Sequence, residues 1–418
     1  MRDAIVGRPP HDWDITTSAA PEEVKRLFDH TIDTGIAHGT VTVVCGQETY
    51  EVTTYRIDGA YEDARHPSSV TFTRSVDEDL KRRDFTINAM AYNEKTGLVD
   101  LFDGSGDLSR GVIRCVGKPA ERFGEDALRI LRAVRFAAQL GFEIDPETAG
   151  AAGELADNLR RISAERIWTE LVKLLVSAHP EKMEDARRIG ITRVVLPEFD
   201  ALFACRLNKK KEEQEWNAGL HTLAALKQTD ADKVLRLTML LHDTGKPECC
   251  VCGPDGRVTY PDHAAKGEAA AGKVLRRLRS DRDTEDKVRR LIRFHSVLPE
   301  ARPAAVRALA HQIGPDLFDM WLKVKRADTL AHDPETARSR IRKVEEVEDV
   351  WKEIRRNRDP LTLKELAVTG KDLIAAGMKP GKELGEVLNK LLDAVLEDPG
   401  CNTREELLAR AAAISRNY

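Results

Sequence analysis

Two carboxylates stand two residues apart near the start of the chain, in His11-Asp12-Trp13-Asp14-Ile15. On a strand, residues i and i+2 point to the same face. Asp12 and Asp14 would then repel each other unless a cation lies between them. Mg2+ is held by one or two carboxylates together with substrate phosphates. The pair reads as half of a metal site for phosphate chemistry or, taken alone, as a solvated edge. A second cluster, Asp79-Leu80-Lys81-Arg82-Arg83-Asp84, sets two arginines beside an aspartate. Guanidinium forks suit phosphate oxygens and a carboxylate suits ribose hydroxyls; a salt-bridged turn is the plain alternative. In Glu125-Asp126-Ala127-Leu128-Arg129, Asp126 and Arg129 have the spacing of neighbours on one helix face. They read as an intrahelical ion pair or as a base reader. Arg only donates and ionised Asp only accepts. Cytosine and adenine both offer a ring-nitrogen acceptor beside an amino donor, so the pair matches either and rejects uracil and guanine. Arg132 and Arg135 extend a basic ridge suited to phosphates or RNA backbone.

A separate set of ligand-type residues lies further on: His221, His242, Asp243, His263, His295 and Asp328. Imidazoles and carboxylates suit first-row transition metals or Mg2+. Cys249, Cys250 and Cys252 lack a second matching pair, which argues against zinc. Lys209-Lys210-Lys211 reads as a solvated loop able to touch RNA backbone.

The elements that must position these groups change type along the chain. Gly39–Val44 and Tyr50–Tyr55 are β-branched runs, hence strands, and a helix is expected to start near Pro21. Arg56–Pro67 is a polar stretch punctuated by Gly and Pro, which reads as a mobile loop or a plain connection. From Arg122 onward the pattern is helical, over Glu125–Leu140, Ala164–Ser177, His221–Leu241, Ala264–Arg279 and Thr284–Phe294. One hairpin is expected at Cys250–Tyr260 and a charged linker at Arg355–Pro360. With 418 residues, 33% charged, 5% aromatic and a net charge of −4, several domains of a helix-rich chain are expected. The near-neutral balance carries no global nucleic-acid signal, so RNA contact would rest on local basic clusters. No apolar run approaches a membrane span, and Ala4-Ile5-Val6 is too short for a secretory signal. Seven unevenly spaced cysteines point to a reducing, cytoplasmic setting. Nothing in the sequence sets an oligomeric state.

Six segments add a resemblance. They are Gly7–Thr17, His38-Gly39-Thr40, Glu51–Arg56, Arg82–Ala91, Glu125–Phe136 and Ile162–Arg166. In this order they resemble the motifs of bacterial class II tRNA nucleotidyltransferases, the CCA-adding enzymes, from residue 1 to near residue 180. The resemblance implies an α+β fold. A polymerase-β-like head with a mixed sheet would span 1–118, a helical neck 119–180, an HD-type helical body 181–345 and a tRNA-binding helical tail 346–418. It implies tRNA, CTP and ATP as partners, Mg2+ held by Asp12 and Asp14, and in-line attack of the tRNA 3′-hydroxyl with loss of pyrophosphate. It implies nucleotide binding by Gly7, Arg8, Arg82, Arg83, Asp84, Asn88, Asp126, Arg129, Arg132 and Arg135. Asp58, Tyr61, Asp63 and Arg65 would belong to the flexible loop used for the final A. Glu51 is either a third carboxylate near the metals or an exposed strand residue. The family carries a strand and a Gly-Gly turn ahead of the position of Arg2-Asp3. The chain begins at Met1, so the head is expected without that strand and half its phosphate cradle. The body histidines resemble an HD-type phosphohydrolase over 215–335, implying a second divalent metal (Mn2+, Ni2+ or Mg2+). Their alternative is a structural body with satisfied histidines. Competing readings of the whole are a poly(A) polymerase, or an HD phosphohydrolase with an RNA-binding head.

Overall fold

Alternation in Thr40-Val41-Thr42-Val43 gives a strand one apolar and one polar face, and the head is built on that division. The computed structural model describes residues 1–10, 13–59, 68–207 and 216–415. Asp12, Tyr61, Asp63, Arg65 and Lys209 to Lys211 lie outside the described residues. Strands β1 (Asp14–Thr17), β2 (Thr31–Gly35), β3 (Thr40–Cys45) and β4 (Glu48–Thr54) form one sheet in the order β1-β4-β3-β2. β1 runs parallel to β4 and the other pairs are antiparallel, so the sheet is mixed as expected. Val41, Val43 and Val52 pack under Val24 of the helix Pro21–Leu27. That helix opens with Pro21, and Glu23 reaches back to accept from the Ala20 amide at 2.7 Å. Ahead of β1 stands a short helix, Arg2–Ile5.

Beyond the sheet, β5 (Arg56–Asp58) and β6 (Val70–Phe72) pair as an antiparallel ribbon. Asp58, expected in a mobile loop, is therefore a strand residue, and its side chain is only 4% exposed. The single helix expected over Glu125–Leu140 is two, Pro119–Glu125 and Leu128–Leu140. Asp126 adopts an extended backbone (φ −139°, ψ 104°) that stops the first helix. Gly141 ends the second at φ +76°, a conformation glycine takes without strain. The helix Ala164–Leu175 packs along Leu128–Leu140.

The chain divides into two compact units, Met1–Asp200 with Arg277–Ser280, and Ala201–Arg276 with Asp281–Tyr418. The second is helical apart from the expected hairpin, Val251–Cys252 against Val258–Thr259. The helix expected over His221–Leu241 is broken into Ala218–Lys227 and Lys233–Leu241. The break is local capping: Asp232 accepts from the Leu235 amide at 2.9 Å and starts a new helix. The helix Pro334–Asn357 takes up the first half of the expected linker and stops at Arg358, φ +56°. No helix among the described residues is long and apolar enough to cross a membrane.

Candidate active site

Parallel pairing sets Asp14 of β1 opposite Glu51 of β4, and β3 places Thr42 opposite Glu51 from the other side. Register and alternation put all three on the polar face, away from the valine core. Asp14 and Glu51 are exposed, and neither forms an ion pair with a described residue. Two like charges on adjacent strands without a cationic neighbour fit a divalent cation. Thr42, bonded to Thr34 at 2.8 Å, and Thr40, bonded to Thr53 at 3.0 Å, complete the polar floor. Gly7 (φ +69°) turns the chain into the loop before β1, and Arg8 donates to the Gln139 carbonyl at 2.8 Å.

Beyond the sheet, the arginine cluster is held from beneath by Asp79, a fully buried carboxylate that sequence reasoning gave no role. Asp79 accepts from Arg82 at 2.6 and 3.0 Å and from Arg83 at 3.4 Å. Asp58 adds a second contact to Arg82 at 3.8 Å, which ties the base of the β5–β6 ribbon to the cluster. Each guanidinium keeps N–H groups to spare. Asp84 is different. Its Oδ2 accepts from the Nε and NH2 groups of Arg132 at 2.8 and 2.5 Å. Its Oδ1 accepts from the Phe85 amide at 2.9 Å and from Asn88 at 3.1 Å. Burial opposes its charge, but Arg132 and Asn88 outweigh burial and hold the carboxyl below the usual range. With its lone pairs taken, Asp84 is a brace in this structure and not an open acceptor for ribose.

Neither Arg132 nor Arg135 forms the expected open ridge. Arg135 is 7% exposed, stacks on the Phe136 ring at 3.7 Å and lies 2.5 Å from Glu170. That contact is a close ion pair whose orientation is not that of a hydrogen bond. Glu170 also lies 3.8 Å from Arg132. Asp84, Arg132, Glu170 and Arg135 thus form a chain of alternating charge from the arginine cluster into the helices behind it. Sequence reasoning missed Glu170, whose only signal was a carboxylate on the apolar side of Ala164–Leu175.

Asp126 and Arg129 come close through the helix break, but they do not pair with each other. Asp126 accepts from the Leu128 amide at 3.0 Å and from Arg166 at 2.7 Å. Arg129 donates to Glu125 at 2.6 Å and to the carbonyls of Arg122 and Arg82 at 3.2 and 3.0 Å. Arg129 keeps its Nε–H and one NH2 hydrogen free of these bonds, and Asp126 keeps unused lone pairs. A donor and an acceptor with separate anchors can meet the edge of a base.

In the second unit, six expected ligand residues converge, joined by His332, which the sequence did not single out. His221 Nε2 lies 2.9 Å from Asp328, and His242 Nε2 lies 3.3 Å from Asp243 and 3.9 Å from Asp328. His332 stacks 4.8 Å from His221; its signal was its place four residues after Asp328. The Nδ1 atoms of His242, His263 and His295 face the carbonyls of Met239, Tyr260 and Ile292 at 2.7, 2.8 and 2.7 Å. Carbonyls only accept, so each Nδ1 carries a proton and each Nε2 points inward, offering a lone pair whenever its ring is neutral. The Nε2 atoms of His263 and His295 then face each other at 3.3 Å. The Nε2 of His242, a side chain 1% exposed, has no aligned hydrogen bond. Burial opposes charge on Asp243, but His242 and Lys246 outweigh it and hold the carboxyl well below the usual range. Such converging lone pairs need a proton or a cation between them. Three overlapping groups here have metal-ligand spacing: His221, Asp328 and His332; His221, His242 and Asp243; Asp243, His263 and His295.

Comparison with known proteins adds the context of this geometry. Residues 1–114 match the family described as the poly A polymerase head domain. Residues 141–203 match the "probable RNA and SrmB-binding site of polymerase A", and 263–411 match tRNA nucleotidyltransferase domain 2. The CCA-adding enzyme of Ligilactobacillus salivarius is 34% identical over 98% of this chain and 90% of its own length. The crystal structure of the Bacillus stearothermophilus CCA-adding enzyme in complex with CTP is 29% identical with a TM-score of 0.74, covering 100% of this chain and 91% of that one. The Thermotoga maritima CCA-adding enzyme complexed with tRNA shares the fold at 22% identity and a TM-score of 0.55, covering 99% and 88%.

Proposed function

The chain belongs to the CCA-adding enzymes, and from that premise we propose that Asp14, with Asp12 and Glu51, forms the metal-holding face on which CTP and ATP are joined to the 3′ end of tRNA. The activity of the family is nucleotidyl transfer without a nucleic-acid template. The observation that carries the site is the Asp14–Glu51 register, two carboxylates side by side on the polar face without an ion-pair partner among the described residues. Mg2+ bound there would activate the attacking 3′-oxygen and stabilise the leaving pyrophosphate. Arg82 and Arg83 meet the triphosphate with their spare N–H groups, while Asp79 and Asp58 fix their direction. Asp84, Asn88, Arg132 and Arg135 hold that strip in place. Gly7 and Arg8 line the approach to β1. Asp58 anchors the loop of Tyr61, Asp63 and Arg65 that serves the final A. Asp126 and Arg129 read the amino edge shared by cytosine and adenine. Head, neck, body and tail would follow the segments 1–118, 119–180, 181–345 and 346–418. The seven unbridged cysteines fit a cytoplasmic setting.

The test is addition to a tRNA lacking its terminal CCA. CTP alone should add two cytidines, and CTP with ATP the full triplet; no CMP incorporation would overturn the reading. The base reader has its own test in Asp126→Asn. An amide can donate as well as accept, so discrimination against UTP should fall by roughly tenfold or more, the scale of one buried hydrogen bond to a charged group. Unchanged discrimination would remove Asp126 from the base edge.

A second reading rests on the facing Nε2 atoms of His263 and His295. The cluster would hold one or more divalent cations, Mn2+, Ni2+ or Mg2+, as a phosphohydrolase centre does. Neutral imidazoles and two carboxylates fit those ions. His242→Ala should lower the Mn2+ content of the purified protein, read by elemental analysis. Equal content in both forms would leave the histidines a structural role.

A further inference from the structure

Arg340 stands at the rim of the histidine cluster on the helix Pro334–Asn357. Its side chain is exposed. Whereas Arg342 pairs with Glu346 at 3.6 Å, Arg340 makes no ion pair among the described residues. Its hydrogen-bond partner among the described residues is an imidazole: NH1 lies 3.2 Å from His332 Nε2. An arginine can only donate, so His332 must accept there and be neutral. The same imidazole reaches the cluster, with a nitrogen within 4.8 Å of the ligand atoms of His221 and Asp328. His332 therefore links Arg340 to the candidate metal ligands.

The charge balance says what such an arginine would meet. Lys246 lies 2.6 Å from Asp243, and the buried Lys325 lies 3.9 Å from Asp328. The two carboxylates thus already face two ammonium groups. A divalent cation and Arg340 leave the centre with excess positive charge, which a dianion matches. We infer that Arg340, oriented by His332, is the anchor for the phosphate of a phosphomonoester bound at this cluster. A neutral imidazole is the fitting support, because a carboxylate in its place would neutralise the guanidinium and compete for its fork. The free N–H groups can take two phosphate oxygens at once. Arg340 would be a binding residue and His332 a positioning residue.

This inference rests on the reading of the cluster as a metal centre, and its test separates the two. The full chain carrying Asp14→Ala, so that the head carboxylates contribute less, is loaded with Mn2+ and titrated with inorganic phosphate by calorimetry. Mn2+ content is measured in parallel. Arg340→Met should weaken phosphate binding by about tenfold or more, the cost of a charge-assisted bidentate contact, with Mn2+ content unchanged. Arg340→Lys should recover only part of the loss, because an ammonium lacks the planar fork. His332→Ala should weaken phosphate severalfold, counted per bound Mn2+, because His332 also belongs to a candidate ligand group. Mn2+ bound by the cluster with equal phosphate affinity in the parent and Arg340→Met would overturn the inference alone. Mn2+ content equal in the parent and in His242→Ala would overturn the metal reading and the inference with it.

Discussion

Asp14→Ala should lower CMP addition to a CCA-less tRNA by about 10³-fold or more, equivalent to roughly 4 kcal/mol of lost transition-state stabilisation. Two features of the site set that expectation. Asp14 faces Glu51 across a parallel pair, and neither has a cationic partner among the described residues, so both charges are available to a cation. Asp14 is also exposed and has no part in the valine core, so its removal leaves the sheet intact. Single-turnover addition with saturating CTP measures the step, and filter binding measures tRNA affinity, which should stay within about twofold. Glu51→Gln keeps the shape and removes the charge; it should cost about tenfold, because one of the charges in the cation field is lost. Raising Mg2+ should recover part of the Glu51→Gln loss and little of the Asp14→Ala loss. Full activity in Asp14→Ala would sink the metal assignment.

The second large effect concerns stability. Arg307→Met should destabilise the second unit by about 3–5 kcal/mol, the usual result of breaking a buried ion pair from one side. Arg307 is 5% exposed and donates to Asp359 at 2.7 Å. Its other donors reach the carbonyls of Leu396 and Glu397 at 2.7 and 2.8 Å, at the end of the helix Lys382–Glu397. One guanidinium thus closes three elements: its own helix Pro303–Ile313, the segment after Arg358 and a late helix. Methionine fills the volume but leaves a carboxylate and two carbonyls without donors. Urea unfolding followed by circular dichroism should show the midpoint fall with little change in slope. Arg307→Met with Asp359→Asn should recover part of the loss, because the stranded charge is gone. A shift below about 1 kcal/mol in the single variant would place Arg307 among ordinary surface arginines.

The sequence was most legible where one residue type carries its own geometry. Alternating Thr and Val announced β3 and its two faces. Pro21 announced a helix start. Asp14, Arg82, Asp126 and His242 were nameable because carboxylates, guanidinium groups and imidazoles have few chemistries each. Boundaries were less legible. Whether Glu125–Leu140 is one helix or two turned on the extended backbone of Asp126, and capping by Asp232 broke a second expected helix. Both are local competitions worth about 1 kcal/mol, too small for composition to announce.

What the sequence determined by itself, then, was the inventory: the strand faces, the helical body and the residues able to bind metal, phosphate or base. Tertiary structure alone decided which of them stay available. Asp84 and Arg135 had the right types for nucleotide contact, yet Arg132 takes up the hydrogen bonds of Asp84, and Arg135 is buried in an ion pair with Glu170. Asp14 and Glu51, 37 residues apart in sequence, are left open because parallel register sets them side by side with no cationic partner among the described residues. His332 and Arg340 carried no motif, and folding brings them to the cluster rim. The physical reason is common to all three cases. A side chain's chemistry is written in its type, but its free valence depends on partners far away in sequence, and only packing chooses those partners.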